Sequence, residues 1–75
     1  MKRKLGRVGD VISYTVMNET RRGKVTMKSS EYLTVSLESP RTLQDWEKQF
    51  PATSNPMEDY VYLHSNYTIE AYGNA

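Results

Sequence analysis

A chain of 75 residues with 37% apolar side chains and no cysteine has room for one small core, which neither disulfides nor thiolate-bound zinc can reinforce. Its net charge of +1 hides a separation: through Lys28, eight Lys and Arg face Asp10 and Glu19, giving +6, and beyond it Arg41 and Lys48 face seven acids, giving −5. No apolar run approaches the ~20 residues that span a bilayer, and Gly6-Arg7-Val8-Gly9-Asp10 stands where a signal peptide would be apolar, so a soluble, cytoplasmic, single-domain protein over residues 1–75 is expected.

In chain order, residues 1–7 form a basic tail. Val11 to Val16 then alternates as a strand, with Ile12, Tyr14 and Val16 on one face. Asn18 and Gly23 bracket a polar connection to a second strand, Lys24 to Lys28, with Val25 and Met27 pointing inward. Ser29-Ser30-Glu31 makes a turn into a third strand, where Leu33, Val35 and Leu37 point in and Tyr32, Thr34 and Ser36 point out.

After Pro40 the period changes. Thr42, with Asp45 three residues on, caps a predicted two-turn helix whose Leu43, Trp46 and Phe50 share one stripe. Pro51 to Asp59 reads as a loop, so residues 39–59 form an insertion. Tyr60 to His64 and Tyr67 to Tyr72 alternate again and are predicted to pair as a hairpin across a tight Ser65-Asn66 turn.

Five short strands with no helical layer to cover a sheet are best accommodated by curling it into a barrel that hides its edges. The expected fold is mainly β: a small five-stranded SH3-like barrel with one short helix inserted between strands 3 and 4. Its predicted core contains Ile12, Val25, Leu33, Val35, Val61, Leu63 and Ile69.

Three stretches, "VGDVI", "RGKV" and "VYLHSNYTI", resemble small SH3-like barrels of the KOW type and, more specifically, the YkvS-like family of short Gram-positive bacterial and phage proteins. The resemblance runs from about Val8 to Ile69 and is carried by Gly9, Gly23, Val25, His64, Asn66, Tyr67 and Ile69. It implies the barrel fold and no particular activity, because that family is a domain of unknown function. The segment from Ser39 to Pro56, with Trp46, departs from the family pattern.

No catalytic or metal-binding constellation is apparent. His64 lies near Ser65, Asp59 and Glu58 in sequence, but a histidine that begins a tight turn ordinarily serves packing or a backbone hydrogen bond. One histidine without cysteine also lacks the paired spacing that zinc requires. No enzyme activity, cofactor or metal is expected.

Two binding hypotheses emerge. In the first, the tail and first hairpin, with Lys2, Arg3, Lys4, Arg7, Arg21, Arg22 and Lys24, contact nucleic-acid phosphates while Tyr32 offers a stacking face. Tyr14, Tyr60 and Tyr62 are further aromatic candidates, although a sequence pI near 8.0 is low for a dedicated nucleic-acid binder. In the alternative, the acidic insertion and exposed aromatics (Asp45, Trp46, Glu47, Glu58, Asp59 and Tyr62) bind a larger host protein, as a small phage-encoded modulator or inhibitor does. Trp46 serves this alternative only if exposed; the helical stripe predicts that it packs on the barrel.

Overall fold

Residues 5–50 and 54–73 are described by the computed structural model. The strands are β1 (Val11–Val16), β2 (Glu19–Lys28), β3 (Tyr32–Leu37), β4 (Glu58–Tyr62) and β5 (Thr68–Ala71), with one helix, α1 (Asp45–Lys48), between β3 and β4. They form a single antiparallel sheet in the order β4-β3-β2-β1-β5. The protein is therefore mainly β, with the barrel-like architecture expected from its alternating segments.

Period-two alternation sets the core. Ile12, Val25, Leu33, Val35, Val61 and Leu63 are buried as predicted, joined by Tyr14 and Leu37, and Ile69 packs against them from a half-buried position. Gly23 lies where β3 passes closely: a Cβ there would collide with the Ser36 carbonyl oxygen and come within 2.8 Å of the Leu37 Cα.

The opening turn closes the molecule through one buried carboxylate. Gly9 takes a φ of +97°, open to glycine and costly for other residues. This places the wholly buried Asp10 so that its carboxylate accepts the Arg7 N–H at 2.9 Å and the Gly73 N–H at 2.6 Å. The Asp10 carbonyl accepts the Val25 N–H at 2.8 Å. Both ends of the described chain are thereby tied to the barrel.

Several local expectations are corrected. The polar connection is not a loop: Met17 and Asn18, both at positive φ, make a tight turn, and β2 already begins at Glu19. Met27 is exposed because an extra residue between Val25 and Met27 shifts the register and flips the alternation, while Thr34, expected outside, is buried. β4 starts at Glu58, within the expected loop, and does not pair with β5. The chain turns at Tyr62 to Ser65 and crosses over, and β5 pairs with β1.

The helix differs most. It is one turn long, and Gln44, not Thr42, occupies its N-cap. Trp46 and Phe50 are exposed, whereas Glu47 faces inward. A four-residue helix is too short to present a stripe, and the ion pair made by Glu47 sets its orientation.

Truncating Val35 to Ala should lower stability in urea melts by about 1–3 kcal/mol, and Asp10→Ala should cost a similar amount, because two backbone donors lose a buried charged acceptor. Losses under about 0.5 kcal/mol, typical of surface substitutions, would contradict these assignments.

Candidate binding groove

One concavity of about 770 Å³ opens beside β4. Strand alternation builds its aromatic side. On β4, Tyr60 and Tyr62 share a face, and Tyr62 lies opposite Tyr32 of β3. The Tyr32 and Tyr60 rings meet edge to face, with centroids 5.4 Å apart and an interplanar angle of 86°, an arrangement that aromatic quadrupoles favour. Trp46 of the insertion lines the same concavity. Its indole is 62% exposed, yet its N–H donates to Gln44 Oε1 at 2.9 Å.

A polar network holds the insertion against the barrel. Arg21 on β2 donates through Nη1 to Asp59 on β4 at 2.8 Å and through Nε to Glu19 at 2.7 Å. The Tyr14 hydroxyl, from β1, donates to the same Asp59 oxygen at 2.6 Å. Glu19 in turn accepts the Thr42 hydroxyl at 2.6 Å, reaching into the insertion. Arg41 grips Glu47 with two parallel bonds of 3.0 and 2.8 Å and donates through Nε to the Glu58 carbonyl at 2.8 Å. Bidentate arginine–carboxylate geometry of this kind is directional as well as strong.

The network shifts the titration of its members. Hydrogen bonds from Thr42 and Arg21 hold the Glu19 carboxyl at about 2, and the Arg41 guanidinium does the same for Glu47. Burial, reinforced by the bond to Asp59, pushes the Tyr14 phenol far up, so it remains a donor.

The outer edge of β4 is partly occupied. The Leu37 N–H donates to the Met57 carbonyl and the Leu63 N–H to Glu31, so odd-numbered residues bond to β3 and even-numbered ones face outward. Four of those outward groups find partners in their own chain. The Glu58 N–H donates to the Asn55 carbonyl, and the Glu58 carbonyl accepts from Arg41. The Tyr60 N–H donates to Asp59 Oδ1, and the Tyr62 carbonyl accepts from Ser65. The groove thus offers side chains more than a free strand edge.

The two candidate sets fare differently in space. Trp46, Glu47, Glu58, Asp59 and Tyr62 line the groove, and Asp45 flanks it, fully exposed, with Lys48 at 3.9 Å. Of the basic set, Lys2, Arg3 and Lys4 lie outside the described residues. Arg21 is enclosed by carboxylates, and Arg22 pairs with Glu38 at 3.1 Å on the opposite face of β2, which Lys24 shares. Arg7 is exposed beside the opening turn, and Tyr32 sits in the groove, not with the cations. Tyr14, considered above as an aromatic face, is buried. The Ser65 hydroxyl near His64 donates to the Tyr62 carbonyl at 2.7 Å.

Several lining residues belong to neither set, Arg41, Thr42 and Gln44 among them. Tyr60, named above only as a further aromatic candidate, shares the period-two pattern of Tyr62. Arg41, which organises the insertion, carries no such signal. Among the described residues no helix is long and apolar enough to cross a membrane. Comparison with family models, curated proteins and solved structures yields no match for this chain.

Because the Glu19 and Glu47 carboxyls titrate below the ordinary value of 4.5, their contribution to stability is complete above about pH 4.5 and is lost as pH falls through about 2. Urea midpoints measured across this window should fall on acidification, and Glu47→Gln should flatten the decline. An unchanged slope in the variant would mean that the Arg41–Glu47 pair does not form.

Proposed function

We propose that this chain is a small, non-catalytic, cytoplasmic binding protein that modulates a larger protein by taking one of its segments into the aromatic groove beside β4. The observation that carries the reading is an exposed tryptophan held in place by its own N–H, in the same concavity as three tyrosines. Large, rigid aromatics of low side-chain entropy make efficient interface anchors, and a chain this short has little reason to leave an indole in water unless it is used. The resemblance to the YkvS-like family adds no activity to this reading. A phage-encoded modulator of a host protein remains a fitting instance of it.

Nucleic-acid contact is the weaker second reading. It is supported by Lys24 and Arg22 on one face of β2 together with the basic tail. Against it, Arg21 is neutralised within the fold and Arg22 faces a carboxylate.

Affinity capture from host lysate, with and without nuclease, separates the two. A partner that survives nuclease, is lost with Trp46→Ala/Tyr62→Ala and is retained by Arg22→Gln/Lys24→Gln supports the groove; the aromatic double substitution should weaken its binding tenfold or more, on the order of 1.4 kcal/mol or above. Capture abolished by nuclease or by the Arg22/Lys24 pair, but indifferent to Trp46 and Tyr62, overturns the groove reading in favour of nucleic acid.

A further inference from the structure

The groove has a definite charge character. Both guanidiniums in its wall, Arg21 and Arg41, are closed by carboxylates. Against these two cations the wall sets three carboxylates, Glu47, Glu58 and Asp59, and Glu19, outside the lining, bonds to Arg21 as well. Glu58 has no cation paired with it among the described residues; its carboxylate accepts only the Tyr60 hydroxyl, at 3.1 Å. Asp45 adds an exposed acid beside Trp46, with Lys48 at 3.9 Å.

The aromatic side points the same way. The Trp46 N–H and the Tyr60 hydroxyl are spent on Gln44 and Glu58, so these two rings present their faces more than their polar edges. Ring faces are negative and attract cations, most of all when carboxylates stand close by.

Resting on the groove reading above, we propose that the occupant is a basic segment of the partner protein, with an arginine or lysine laid over the aromatic faces of the groove and Glu58 as its counter-charge. Arginine suits the site better, because its planar guanidinium stacks on a ring while its edge still reaches a carboxylate. Phosphate and acidic peptides find a net negative wall there. The selection is local: the whole chain carries +1, so overall charge does not draw a basic ligand to it.

The test uses the emission of Trp46, the only tryptophan in the chain, at low ionic strength. The protein is titrated with three amidated peptides, each of four dipeptide repeats: Arg-Gly, Gln-Gly and Glu-Gly. The Arg-Gly peptide is expected to change the emission saturably, the Gln-Gly peptide to bind about tenfold more weakly or worse, and the Glu-Gly peptide not to bind. Salt should weaken the Arg-Gly complex. Glu58→Gln should weaken it about two- to fivefold, the weight of one accessible ion pair, while Glu70→Gln, on β5, leaves it unchanged.

No saturable response to Arg-Gly overturns the inference, as does sensitivity to Glu70→Gln without sensitivity to Glu58→Gln. Equal binding of Gln-Gly and Arg-Gly, both abolished by Tyr62→Ala, overturns the basic preference and leaves the groove reading standing. Partner capture that ignores Trp46 and Tyr62 defeats the groove reading itself.

Discussion

The guanidinium of Arg21 is the point on which the groove end of this molecule depends. It bonds at once to Asp59 on β4 and to Glu19 at the start of β2, and through them it is linked to Tyr14 on β1 and Thr42 in the insertion. Hydrophobic burial alone gives β3 and β4 a reason to pair, but gives the segment after Leu37 little reason to return to the barrel, because Trp46 and Phe50 are exposed and Leu43 is only half-buried. Charge-assisted hydrogen bonds do that work instead. Partly buried, they are screened less than surface pairs, and removing one partner would strand the others.

This arrangement also accounts for the lopsided charge of the sequence. A basic first half and an acidic second half look like surfaces waiting for charged partners. In the fold, Arg21 reaches Asp59 and Arg22 reaches Glu38, so part of the asymmetry is consumed by pairing across the chain. Pairs separated by 38 and 16 positions leave no periodic trace in the sequence, which is why Arg21 reads there as a free cation.

What was legible follows the same division. Strands whose alternation faces a common core, such as Ile12 with Tyr14 or Leu33 with Val35, are visible because burial imposes period two on each of them separately. Their pairing is not. Nothing in residues 67–72 says that β5 should cross to β1 rather than fold back on β4. The exposure of Met27 arises from a bulge, an event in register rather than in composition. Trp46 departs from the sequence expectation because the Arg41–Glu47 pair, and not an apolar stripe, orients the helix. The acidic and aromatic candidates were nonetheless recognisable by residue type, and the fold gathers Trp46, Glu58, Asp59 and Tyr62 around one concavity. Arg41 could be found only from the structure.

Trp46 is exposed and yet fixed, its one-turn helix held by Arg41 and Glu47 and its indole by Gln44. Time-resolved fluorescence anisotropy of this single tryptophan measures that combination directly. In the native protein the indole should reorient mainly with the tumbling of the whole molecule, and Glu47→Gln should introduce a fast local component while the barrel stays folded. Dominant fast local motion in the native protein, or an unchanged decay in the variant, would contradict it.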